Sequence, residues 1–124
     1  MAKVSWHQVL PFALAAFLLV GSLVNMIAPG PIYEEYLRWG YPPGFHFFTG
    51  TMESMAAVML LRESSRVTGA VFGFIVMSAA LATVIIHGEY AHAVLPLIVA
   101  TLAFVVARTS WRKIKALPAG GPPE

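Results

Sequence analysis

One carboxylate stands among apolar residues. Glu53 falls in the stretch Tyr41-Pro-Pro-Gly-Phe-His-Phe-Phe-Thr-Gly-Thr-Met-Glu-Ser-Met-Ala-Ala-Val-Met-Leu-Leu61. Read as a membrane-spanning helix that starts near Pro43, this stretch puts Glu53 about 15 Å below its start. That is roughly half of a hydrocarbon core about 30 Å thick. An ionised carboxylate is costly there, and the escapes are protonation, a partner or a water-filled cavity. His46 lies seven residues earlier, nearly two helical turns, and projects from the same face with Thr49 and Gly50 between the two. Imidazole and carboxylate on one face are the elements of a proton pair. A neutral Glu53 that ties helices together by hydrogen bonds fits the same facts, and both readings stay open. Gly50 and Ser54 form a small-xxx-small pair, which turns this face into a helix bundle and away from lipid.

A second group of polar residues gathers at the ends of the apolar runs. His46, His87, Glu89 and His92 fall at one end of three of them, and Asn25 near the same end of another. Such a group can bind a polar head group or a quinone carbonyl, or it can be a set of wetted interfacial residues, the blander reading for His92. Glu89-x-x-His92 has the spacing used in carboxylate-bridged di-iron bundles, but those need two such motifs and two further Glu. No metal is therefore expected. Asn25 is expected to hydrogen-bond across to another helix. His7 stands alone at the opposite end. No G-x-S-x-G, H-E-x-x-H or P-loop occurs, so nucleophile–base catalysis has no recognisable elements.

The elements that must position these residues are membrane spans. Of the 124 residues, 58% are hydrophobic and 11% charged, against about a quarter charged in soluble domains. The chain has no Cys, which excludes disulfides and cysteine-held metal clusters. No basic run is interleaved with aromatics, so a nucleic-acid partner is not expected. Apolar runs over about 8–28, 43–61, 67–87 and 91–108 predict four spans in one domain, 1–116, followed by a Pro/Gly-rich disordered tail, 117–124. Pro29-Gly30-Pro31 ends the first run. Ile32–Gly40, with Tyr33, Tyr36 and Trp39, suits a short helix in the membrane interface, where Glu34 and Arg38 could pair at i,i+4. Gly69-x-x-x-Gly73 favours close packing of the third span. Lys3, Arg62, Arg66, Arg108, Arg112, Lys113 and Lys115 then share one side and only Arg38 the other, which puts both termini in the cytoplasm.

This pattern resembles the DoxX-like family of small bacterial four-helix membrane proteins. The resemblance runs from about Phe12 to Arg108. It is carried by Gly21-Ser-Leu-Val-Asn25 at the end of the first span, Gly40-Tyr-Pro-Pro before the second, Gly50-Thr-Met-Glu53 as the family's G-x-x-E, and Arg66 opening the third. It implies an all-α bundle in a bacterial inner membrane. It also implies an accessory or quinone-binding part in a membrane redox system, with a quinone or other isoprenoid lipid as the implied cofactor. Many members carry Lys near the end of the first span, where this chain has Asn25; if that Lys partners the Glu, Glu53 here needs another partner. The sequence thus supports three functions. The first is a DoxX-like subunit with a redox partner protein or a bound quinone-like lipid. The second is a membrane acid–base enzyme using Glu53 and His46, with Asn25, Thr49, Gly50, His87, Glu89 and His92 as ligand-binding candidates. The third is a homo-oligomeric transporter.

Overall fold

A computed structural model describes residues 5–116, so the expected tail lies outside the described residues. Among those residues the chain is helical without a strand: α1 Trp6–Ile27, α2 Gly30–Arg38, α3 Phe45–Leu60, α4 Arg66–Ile86 and α5 Val94–Lys115, with 3-10 turns at Glu63–Ser65 and Tyr90–Ala93. The side chain of Gln8 reaches back to accept the Ser5 N–H at 3.1 Å and caps α1. Ala28 ends it in the left-handed region, φ 46°, just before the Pro29-Gly30-Pro31 break. That break does more than stop a helix, because Pro31 falls in the first turn of α2, where a missing N–H costs nothing. Arg112, Lys113 and Lys115 occupy the last turn of α5, where cations favour the helix dipole.

Three helical stretches, Trp6–Ile27, Glu63–Ile86 and Tyr90–Lys115, are long and apolar enough to cross a membrane. The expected second span differs. Tyr41 to Gly44 stays outside α3, which starts at Phe45 after Gly44 in a left-handed conformation at φ 89°. The 16 residues of α3 rise about 24 Å, short of a hydrocarbon core of about 30 Å. The fourth run also shifts: residues 90–93 form a 3-10 turn, and the helix continues through the basic segment to Lys115.

Successive long helices pack as neighbours, α1 on α3, α3 on α4 and α4 on α5, and α1 also touches α5. The buried seams use small residues: Ala56, Ala57, Ala70, Ala100 and Ala103, with Leu18 and Leu60 fully enclosed. Many other large aliphatics point out instead. Ile86 is 79% exposed, Ile27 73% and Val58 61%, an arrangement that water would penalise and lipid would not. Both small-residue motifs sit at close approaches. A Cβ on Gly69 would come 2.8 Å from the Ala56 carbonyl oxygen and 2.9 Å from the Leu60 nitrogen, and one on Gly50 2.9 Å from Met26 Cγ. Ser22 Oγ donates to the Gly50 carbonyl at 2.8 Å and is joined in turn by the Ser54 hydroxyl. Thr83 satisfies itself on the Ala79 carbonyl one turn back.

One expected ion pair is replaced. Arg38 does not take Glu34, which is exposed; its Nη2 donates to Glu89 at 2.8 Å and lies 4.0 Å from Glu35. The i,i+4 spacing allowed the local pair, but the carboxylate that arrives from the α4–α5 connection is nearer.

The two glycines of α4 separate cleanly in a test. Gly69→Ala meets backbone and should cost about 1–3 kcal/mol of stability. Gly73→Ala meets only the Leu18 methyl at 3.2 Å, which can shift. Thermal unfolding in detergent should therefore show a clear drop for the first and a much smaller one for the second.

Candidate ligand-binding site

Glu53 is 3% exposed, in the middle of α3. Its Oε1 accepts a hydrogen bond from Asn25 Nδ2 at 2.5 Å, across the α1–α3 seam. The same amide nitrogen donates to the Gly21 carbonyl one turn back at 3.0 Å, and Asn25 Oδ1 accepts from the Tyr36 hydroxyl at 2.7 Å. Both N–H groups of Asn25 and its oxygen thus have partners, and three helices meet on it. Glu53 Oε2 makes no hydrogen bond among the described residues. It lies where a side chain on residue 21 would be, 2.7 Å from the Cβ position of Gly21. A larger residue there would push the carboxylate away.

His46 is buried on α3 beside this group. Its Nδ1 meets the Asn25 backbone carbonyl at 2.8 Å. A carbonyl only accepts, so Nδ1 carries the proton. No hydrogen bond joins His46 to Glu53 directly among the described residues; the two share Asn25. Tyr33 and Tyr36 pack edge-on against the His46 ring at 5.6 and 6.3 Å, which seats α2 over the start of α3.

Glu53, Asn25 and Tyr36 border a cavity of about 720 Å³. Its wall is mainly apolar and draws on α1, α3, α4 and α5, with Phe17, Phe48, Met52, Ile75 and Leu95 among its residues. Thr49 lines it next to Tyr36. Burial holds the Tyr36 hydroxyl above the ordinary tyrosine range, so it stays a donor. Tyr41 stacks on Phe45 at 4.4 Å, and its hydroxyl donates to Thr83 Oγ1 at 2.5 Å, linking the start of α3 to α4.

At the mouth, Glu89 ties α2 to the α4–α5 connection. Its Oε2 accepts from Trp39 Nε1 at 2.8 Å, and its Oε1 accepts from Arg38 at 2.8 Å. His92 Nδ1 lies 3.2 Å from the same Oε1. Glu35, Glu89 and His92 bring ligand atoms within 4.8 Å of one another, but Arg38 already supplies the cation there. The Trp39 indole N–H and then Arg38 hold Glu89 below the usual carboxylate range.

The expected residues therefore divide. Asn25, Thr49, Glu53 and His92 line the cavity, Glu89 closes its mouth, and Gly50 serves the helix seam. His46 supports Asn25 from behind. His87 is exposed and turns its Nδ1–H back on the Thr83 carbonyl at 2.8 Å. Tyr36, Tyr41 and Gly21 were not singled out as site residues. Only Gly21, one turn before Asn25, carried a spacing signal for its place.

The DoxX-like family model matches residues 9–106, most of the chain. The chain belongs to the DoxX-like family. No curated protein and no solved structure is significantly similar to it. The match spans α1 through most of α5, so this DoxX-like chain carries the Asn25–Glu53 pair, the α2 lid and the cavity within the matched part. Family and apolar helices together make it a membrane protein.

The mouth of the cavity should respond to acid. A carboxylate with a depressed pKa stabilises the fold above its ordinary value and loses that contribution as pH falls through the depressed one. The Glu89 tie should thus hold at neutral pH and open as pH falls below the ordinary value of about 4.3. Emission from Trp39 in a Trp6→Phe, Trp111→Phe background should shift in that range, and Glu89→Gln should abolish the transition.

Proposed function

We propose that this DoxX-like protein is a four-span bundle of a bacterial inner membrane, with cytoplasmic termini, whose cavity binds a quinone-like or other isoprenoid lipid. The observation that carries the reading is the pairing of one free carboxyl oxygen, Glu53 Oε2, with a large cavity that is otherwise mainly apolar. Small-molecule sites combine such walls with a few fixed polar groups. Asn25 and Tyr36 fix Glu53, and Oε2 meets the ligand. Protonated, Oε2 donates to a carbonyl; ionised, it accepts from a hydroxyl. The short α3 joins the bundle as its second span with its start under α2, and the seven-to-one split of Lys and Arg orients the bundle. A redox partner protein would use the ligand as its electron carrier, in keeping with the accessory role expected of the family.

A second reading rests on the same oxygen. A carboxyl group that is held on one side and free on the other can move a proton to or from a bound substrate, which would make the protein an acid–base enzyme. His46 then acts through Asn25, with Glu53 alone facing the substrate.

Glu53→Gln tests the first reading. Gln can turn its oxygen to Asn25 and keep the helix tie, while an amide NH2 replaces the ligand-facing oxygen. Protein purified gently from its own host should yield a stoichiometric quinone or isoprenoid in mass spectra of its organic extract. Because the NH2 donates but cannot accept, that yield should fall at least about tenfold in the variant for a ligand in its hydroxyl form, as expected for one lost hydrogen bond to a buried polar group, and hold for the carbonyl form. Only bulk phospholipid in the wild-type extract would sink the proposal. A variant that keeps the ligand but loses turnover would favour the enzyme.

A further inference from the structure

A second cavity, of about 500 Å³, lies at the opposite end of the molecule, where α1 and α4 begin and α5 ends. Arg66 lines it and is only 9% exposed. Its Nε donates to the Leu60 carbonyl at 2.8 Å, and its guanidinium carbon sits 5.3 Å over the Phe12 ring. Its two terminal nitrogens make no hydrogen bond among the described residues, and no carboxylate there lies within ion-pair distance of them. A buried guanidinium without an anion is costly, and arginine's fork suits phosphate.

The other groups around this cavity are mostly donors. The Ser110 hydroxyl and the Gln8 amide NH2 are unpaired among the described residues. Lys113 reaches Glu63 at 2.7 Å with one of its three protons. Arg66 and Lys113 against Glu63 leave one positive charge, which one phosphodiester monoanion neutralises. Phe12 and Leu61, each about half exposed at 50% and 49%, give an apolar edge to the same cavity. Trp6 and Trp111, also half exposed at this end, mark the level at which head groups lie.

We propose that this cavity is a phospholipid head-group site, with Arg66 gripping the phosphodiester of an anionic lipid and Lys113 shared between that phosphate and Glu63. The site is separate from the Glu53 cavity and does not depend on what binds there. Its lipid is structural or regulatory, holding the α3–α4 turn to the end of α5.

Native mass spectrometry of the full chain in detergent, titrated with phosphatidylglycerol and with phosphatidylcholine of the same acyl chains, tests this. Phosphatidylglycerol should bind more tightly, and Arg66→Gln should weaken it by about tenfold or more. Glu63→Gln should tighten it, because it removes the competing carboxylate and frees Lys113. A gain of binding cannot arise from misfolding, so this variant decides the matter if Arg66→Gln fails to fold. Equal binding of the two lipids, or no gain in Glu63→Gln, would overturn the proposal. Inorganic phosphate that displaces phosphatidylglycerol and itself depends on Arg66 would overturn the lipid assignment in favour of a soluble phosphate ligand.

Discussion

The hydrogen bond from Asn25 to Glu53 is the constraint on which the rest of the structure depends. A carboxyl group halfway along an apolar helix must have a partner, and the partner must come from another helix. Asn25 can serve only in one orientation. The Gly21 carbonyl, 3.0 Å away, accepts and cannot donate, so the amide must present its nitrogen there. That leaves the other N–H for Glu53 and the oxygen for Tyr36. This one side chain ties α1 to α3 and α2 to both. Gly21 is glycine for the same reason, since Glu53 Oε2 fills the space of its Cβ.

The seams around that bond are tight, and the cavity lies beside them. Ser22, Gly50 and Ser54 bring α1 and α3 together one turn from Asn25. Gly69 and Ala56 do the same for α3 and α4. Beside them, larger side chains such as Phe17, Met52 and Ile75 form the walls of the cavity. Association in lipid gains little from burying apolar surface, so close backbone approach and interhelical hydrogen bonds must hold the assembly. The aromatic residues of α2 and of the position that ends it then act as a lid: Tyr36 on Asn25, Tyr33 on His46 and Trp39 on Glu89 each fasten it to a different element.

Much of this was legible in the sequence, for physical reasons. Apolar run length and the Pro29-Gly30-Pro31 break mark α1 and α2, and the small-residue motifs mark the seams. Asn25 as a cross-helix donor follows from its being a lone amide near a helix end. The start of α3 was misread by two residues because Pro43 can open a helix, whereas here Gly44 adopts a conformation that closes the turn first. The partner of Arg38 was misread because sequence spacing sees only local neighbours, and Glu89 is distant in the chain. Tyr36 was read as an interfacial anchor, since a tyrosine's hydroxyl partner depends on how a short helix is seated. Arg66 was counted among cytoplasmic charges; nothing in its spacing signals that it is buried beside Phe12.

A neutral amide as the partner, in place of a cation, decides what the carboxyl group can do. A lysine in that place would form an ion pair, and protonating Glu53 would then break it. An amide N–H binds Oε1 whether or not the group carries a proton, because one oxygen of a protonated carboxyl still accepts. The helix tie is therefore indifferent to the proton, and the proton can come and go at Oε2 without loosening α1 from α3. A quinone-like head group changes between carbonyl and hydroxyl as it is reduced, so its partner must be able both to donate and to accept. Glu53 held through one oxygen by a neutral amide meets that requirement, and Asn25, bonded through both N–H groups and its oxygen, keeps it in place while it does so.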